Sequence, residues 1–157
     1  MDYDITRRVL GALERTGVRY VVIGGVALNL HGLARTTEDL DIFVAPEADN
    51  IERLKAALRS VYDDPCIDEI TAADLLGEYP AVQYVPPSGD FHIDILTRLG
   101  ERFDFASLQS ERIDLDGLTI TVVTPRMLYR MKRGTVRPKD RVDAERVARR
   151  FNLKDED

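Results

Sequence analysis

Two aspartates, Asp39 and Asp41, stand two residues apart in Asp39-Leu40-Asp41-Ile42. In an extended strand, residues at i and i+2 project from the same face with their backbones about 6.5–7 Å apart. That spacing suits a divalent metal. A third carboxylate, Asp94, sits between Ile93 and Ile95 in a second apolar-flanked segment, Phe91 to Leu96. Three such groups converging in a cleft would repel by about 4 kcal/mol per close pair at an effective dielectric near 20. A cation is needed to offset them. Upstream, the apolar run Val21-Val22-Ile23 ends in Gly24-Gly25, and Arg35 and Thr37 lie just before the first aspartate.

The elements that must carry these residues can be read from periodicity. Ile5, Val9, Leu10 and Leu13 recur at helical spacing and stop at Gly17, which predicts an amphipathic helix with a glycine end. Arg19 to Ile23 reads as a buried strand, Val26 to Leu30 as a short helix, and Leu40 to Val44 as a strand closed by Pro46. Asn50 is the expected N-cap of a helix with Ile51, Leu54, Leu58 and Val61 on one face. Thr71 with Asp74 resembles a capping box for a short helix that ends before Pro80. Ala81 to Val85 and Phe91 to Leu96 flank Pro86-Pro87-Ser88-Gly89-Asp90 as a hairpin, and Arg112 to Leu115 and Leu118 to Val123 flank Asp116-Gly117 as another. Thr124-Pro125 starts a helix that Gly134 ends, and a last helix begins near Pro138 with Ala144, Val147, Ala148 and Phe151 on one face. Lys154 to Asp157 reads as a frayed tail. The order predicts an α+β fold, a mixed sheet containing antiparallel pairs with helices packed on one side.

Composition narrows the classes. A chain of 157 residues is one domain of ordinary size, here expected to span 1–157 with its C-terminal helices at about 124–152. The single Cys66 rules out an internal disulfide and suits a reducing compartment. Without a long apolar stretch, and with Met1-Asp2-Tyr3-Asp4 in place of a basic leader, a cytoplasmic protein without membrane contact is expected. A net charge of −6 argues against a surface uniformly adapted to nucleic acid, yet the charge is uneven. Basic residues crowd Arg126 to Arg150, which allows local polyanion binding.

The order of motifs resembles the nucleotidyltransferase superfamily of DNA polymerase β: Ile23-Gly24-Gly25, then Asp39-Leu40-Asp41-Ile42, then Ile93-Asp94-Ile95. Within it, His31-Gly32 followed by Arg35-x-Thr37-x-Asp39-x-Asp41 is most similar to the AbiEii-type nucleotidyltransferases, which include toxins of toxin–antitoxin and phage-defence systems. Thr124 to Lys132, and Arg137-Pro138-Lys139-Asp140 with Asp143, resemble that group's C-terminal helical motifs. The resemblance runs from about Tyr20 to about Val147. It implies the nucleotidyltransferase fold and transfer of NMP from an NTP to a hydroxyl, with release of pyrophosphate. Two Mg²⁺ ions, or Mn²⁺ in their place, would be held by Asp39 and Asp41, with Asp94 as a ligand or proton acceptor nearer the attacking hydroxyl. Lys132 would place a cation on the triphosphate. Arg137 or Lys139 would lie near phosphate, and Asp140 would orient a neighbour.

Each residue also has a plainer reading. Gly24-Gly25 either opens backbone amides to the β- and γ-phosphates or simply makes a turn that needs positive φ. Arg35 and Thr37 either contact phosphate or, for Thr37, bond within their own turn. His31 is expected to be a structural hydrogen-bonding residue, and His92 shares the face of Asp94 if that strand is regular. Lys132 alone reads as a solvated lysine, and Asp140 as a complement to a helix dipole. The resemblance implies RNA as acceptor, with a tRNA 3′ end in first place and a cognate antitoxin as partner. The basic C-terminal helices would form the docking face. The alternatives are a hydroxyl of a partner protein or of an antibiotic, and, in another class, a binding module without catalysis. The intact carboxylate set speaks against the last.

Overall fold

The computed structural model describes residues 2–87, 89 and 91–154. Ser88 and Asp90 of the expected turn, and Asp155 to Asp157 of the expected tail, lie outside the described residues. The elements run α1 (Tyr3–Thr16), β1 (Tyr20–Ile23), α2 (Gly24–Leu30), β2 (Asp39–Val44), α3 (Ala48–Val61), α4 (Ala72–Leu76), β3 (Ala81–Tyr84), β4 (His92–Leu96), β5 (Arg98–Leu99), β6 (Phe103–Asp104), β7 (Ser110–Leu115), β8 (Leu118–Val123), α5 (Pro125–Arg133) and α6 (Pro138–Phe151). Short 3₁₀ turns cover Pro65–Glu69 and Phe105–Ser107.

The main sheet has the strand order β3-β4-β2-β1-β8-β7. Its pairs are mixed: β1 with β2, β3 with β4 and β7 with β8 are antiparallel, while β1 with β8 and β2 with β4 are parallel. β5 and β6 form a separate small antiparallel pair that periodicity did not anticipate. Alternation along β2 sets its two faces. Leu40, Ile42 and Val44 are fully buried, as are Ile93 and Ile95 of β4, while Asp39, Asp41, His92 and Asp94 are only half-buried on the opposite face. Burying each such aliphatic side chain contributes about 1.5–3 kcal/mol. The pattern therefore fixes the register that faces the aspartates outward.

The caps explain where several elements begin and end. The Asp2 carboxylate accepts from the Ile5 amide at the start of α1, and Gly17 ends the helix in the left-handed region. Thr71 accepts from the Asp74 amide, and Thr124 from the Met127 amide ahead of Pro125. Asp116 and Gly117 both take positive φ, 50° and 87°, which is the two-residue hairpin turn that Asp-Gly favours.

Asn50 is a correction. The helix begins at Ala48 after Glu47, and Asn50 lies in its first turn, fully buried. Its side chain accepts from the Arg19 amide at 2.7 Å and donates to the carbonyls of Arg19 and Ala45 at 3.0 Å each. It ties the entry of β1 to the exit of β2 instead of capping. Among the described residues, no helix is long and apolar enough to cross a membrane.

Candidate active site

The parallel pairing of β2 with β4 sets Asp39 opposite His92 and Asp41 opposite Asp94. On the far side of β4, the antiparallel pair sets Gln83 of β3 opposite Asp94. Three carboxylates thus share one face across two neighbouring strands. The Asp41 and Asp94 carboxyls stand close enough that Asp94 raises the cost of charging Asp41. Gln83 Nε2 donates to Asp94 Oδ1 at 3.1 Å, and His92 Nδ1 lies 3.3 Å from Asp39 Oδ1. Gln83 carried no signal in the sequence, because only the pairing of β3 with β4 brings it to Asp94.

Gly24 closes the other side of the site. It begins α2 with φ +70°, and a Cβ there would lie 2.1 Å from Asp41 Oδ2. A Cβ on Gly25 would meet Thr37 at 3.2 Å. Gly24 serves the carboxylate directly, since only a residue without a side chain lets Asp41 stand against the start of the helix. The Thr37 hydroxyl donates to the Asp39 carbonyl at 2.9 Å, so it bonds within its own turn.

The electrostatics follow from this crowding. Burial, the hydrogen bond and charge of Asp94, and the charge of Asp39 push the Asp41 carboxyl up to about 7, while Lys132 pulls it down. Asp39 is raised as well, by burial and then Asp94, with His92 opposing. The site carries more negative charge than its own cations neutralise.

The nearest cation is heavily engaged. Lys132 Nζ, in the buried part of α5, lies 2.9 Å from Asp143 Oδ2 and 3.3 Å from Asp140 Oδ1. Asp140 also accepts from the Thr135 hydroxyl at 2.9 Å. A cavity of about 570 Å³ holds Gly24, Asp41, Gln83, Asp94, Lys132 and Arg137 on one wall or another. Leu96, Leu99, Leu128 and Met131 give it an apolar lining. Arg137 is exposed and lies 3.9 Å from Asp140 Oδ2.

Three other residues singled out in the sequence stand apart from this cavity. Arg35 Nη1 donates to both oxygens of Asp143, at 2.5 and 2.6 Å, and Lys139 lines an adjoining groove together with Arg35. His31 is structural: its Nε2 lies 2.7 Å from the Val123 carbonyl, and its ring meets Phe151 edge to face at 5.9 Å.

The donor set suits a hard cation. Asp39, Asp41 and Asp94 offer carboxylate oxygens, with the His92 imidazole and the Gln83 amide beside them, and the crowding that raises Asp41 is what a divalent ion relieves. Among the described residues, no group of three or more His, Cys, Asp or Glu side chains encloses a metal on its own. Mg²⁺ does not require such a cage where phosphate oxygens and water complete its shell.

A family model described as nucleotidyl transferase AbiEii toxin, Type IV TA system, matches residues 8–154. A comparison with curated proteins finds no match. Among solved structures, the lincosamide antibiotic adenylyltransferase LnuA, bound to lincomycin, superposes with a TM-score of 0.62 at 13% identity, covering 94% of this chain and 96% of that one. The candidate nucleotidyltransferase TM1012 from Thermotoga maritima gives 0.60 at 14% identity, over 95% and 91% of the two chains. ANT(2″)-Ia in complex with adenylyl-2″-tobramycin gives 0.58 at 12% identity, over 96% and 89%.

Proposed function

The chain belongs to the AbiEii nucleotidyltransferase toxin family, and on that premise we propose that it moves NMP from an NTP to a hydroxyl of RNA, a tRNA 3′ end first among candidates. The observation that carries this reading is the register of β2 with β4, which brings Asp41 against Asp94 with Asp39 alongside and Gly24 clearing the approach. In the reaction the acceptor oxygen bonds to the α-phosphorus, the bond to the β-phosphate bridging oxygen breaks, and pyrophosphate leaves. In this reading Asp94 is the ligand or proton acceptor for the attacking hydroxyl.

Asp39, Asp41 and Asp94 would hold divalent ions, Mg²⁺ or Mn²⁺, whose chemistry when bound is to activate the attacking oxygen and neutralise the departing one. The chain's own groups bind and orient. Gly24 and Gly25 leave backbone amides open to the triphosphate. Lys132, held by Asp140 and Asp143, presents a fixed positive charge beside Asp41, and exposed Arg137 reaches phosphate from the rim. The apolar lining around Leu128 and Met131 takes the flat face of a base or sugar.

RNA as acceptor is supported by the exposed cations of α6, Lys139, Arg141, Arg149 and Arg150, which offer phosphate neutralisation despite the acidic whole. A growth-arresting role with an antitoxin partner is consistent with the family's description. A small hydroxylated acceptor is the second reading, favoured by coverage of the two antibiotic-linked structures over nearly their full length.

The deciding experiment incubates the protein with each labelled NTP, Mg²⁺ or Mn²⁺, and total RNA, alongside Asp39→Asn. Label in RNA that disappears in the variant is expected. Label in protein or in an added aminoglycoside or lincosamide moves the acceptor, and label indifferent to Asp39 removes the site assignment.

A further inference from the structure

Helix α6 touches the cavity only through its first turn, at Asp140. Its buried face is occupied elsewhere. Asp143, with a side chain only 1% exposed, takes Arg35 on both carboxylate oxygens and Lys132 on Oδ2. Arg35 comes from the segment 31–38 that leads into Asp39, 108 residues earlier in the chain. Farther along the same helix, Arg146 donates to the Ala34 carbonyl at 2.7 Å and Arg150 to the His31 carbonyl at 3.2 Å. Positions 143, 146 and 150 follow helical spacing, so one stripe of α6 grips His31, Ala34 and Arg35 in turn.

The chemistry of Asp143 differs from that of the two arginine contacts. A carboxylate this deeply buried is tolerable only with charged partners and full hydrogen bonding. Here its partners come from two different elements, Lys132 from the cavity wall and Arg35 from the segment that leads into Asp39. The same anion therefore fixes the segment before Asp39 and the ammonium beside Asp41.

We propose that Asp143 is a positioning residue for nucleotidyl transfer, locking the 31–38 segment and the Lys132 ammonium into one body. This rests on the transfer reading above and adds to it the group that sets the geometry from outside the cavity. Asp143 touches neither reactant, so its loss acts through Asp39 and Lys132. Misplacing reacting groups by about 1 Å can cost on the order of 100-fold in rate while binding changes little.

The test compares wild type with Asp143→Asn, Arg35→Ala and, as a control on the exposed side of α6, Glu145→Gln. Amide hydrogen exchange in residues 33–38, NTP dissociation constant, kcat and melting temperature are measured for each. Asp143→Asn and Arg35→Ala are expected to speed exchange in the segment at least tenfold and to lower kcat at least tenfold. NTP affinity should stay within threefold, and Glu145→Gln should change none of these. Should Asp143→Asn fail to fold, Arg35→Ala carries the test, because it leaves the Lys132 pair with Asp143 in place. Unaltered exchange in Arg35→Ala overturns the proposal, as does a kcat loss that merely tracks the folded fraction. If wild type labels no acceptor, the transfer reading fails separately, and exchange alone decides whether Asp143 holds the segment.

Discussion

The α-hydrogen of Gly24 occupies the space in which any side chain would strike Asp41, since a Cβ there would lie 2.1 Å from Oδ2 of that aspartate. Gly24→Ala must therefore displace the carboxylate, and it also strains a backbone held at φ +70°. The positive φ alone costs about 1 kcal/mol. Transfer activity is expected to fall at least a hundredfold with a melting temperature lower by only a few degrees. Gly25→Ala meets Thr37 at 3.2 Å with no positive φ, so a milder loss is expected. Equal activity of the two variants in a single-turnover assay would contradict the contact.

Asp41→Asn should trade function for stability. The amide keeps the shape and can donate to Asp94, but it removes a half-buried charge from the crowd formed with Asp94 and Asp39. In EDTA at neutral pH, urea denaturation is expected to show a gain of about 1–2 kcal/mol, because a poorly compensated buried charge is costly. Activity should be lost. A destabilised Asp41→Asn in the same buffer would mean that the three carboxylates are not mutually repulsive.

Much of this site was legible because its signals are local. Asp39 and Asp41 at i and i+2 announce a shared strand face, Asp116-Gly117 announces its turn, and Thr124-Pro125 announces the start of α5. What local pattern could not show is pairing across long separations. Asn50 looked like a cap because nothing in its neighbourhood reveals that Arg19 and Ala45 come to meet it. Arg35 offers only a possible phosphate contact in the sequence, because its partner, Asp143, becomes adjacent only when α6 packs over the segment before β2. Gln83 sits in an edge strand and gains meaning only from its register with Asp94.

Acid should loosen α1 from the β7–β8 hairpin through Glu14. Arg112 donates to both its oxygens, at 2.8 and 3.2 Å, and the Tyr20 hydroxyl donates at 2.7 Å. Burial raises the Glu14 pKa, but these hydrogen bonds outweigh it and leave the group below its ordinary value. A depressed folded pKa stabilises the fold above the unfolded pKa and ceases to do so as pH falls through the folded one. Glu14→Gln is thus expected to cost about 1–2 kcal/mol at pH 7, with the gap to wild type closing as pH drops below the ordinary glutamate range. Urea curves across pH 3 to 7 check this, and a constant gap would mean that charge is not what Glu14 supplies.

Arg137 and Lys139 lie two residues apart at the start of α6 yet border different spaces. Arg137 lines the cavity shared with Asp41 and Asp94, while Lys139 lines the groove shared with Arg35. If the triphosphate occupies the cavity, Arg137→Ala loses a charge-assisted contact of about 1.5–3 kcal/mol, which is roughly a 10- to 100-fold rise in KM for NTP. Its exposed side chain makes one long ion pair, to Asp140 at 3.9 Å, so stability should move by no more than about 0.5 kcal/mol. Lys139→Ala should leave KM for NTP within twofold and instead weaken an RNA acceptor, with a shallower salt dependence. Steady-state kinetics with NTP and RNA varied separately distinguish the two, and a KM for NTP that responds to Lys139 but not to Arg137 would place the triphosphate in the groove instead of the cavity.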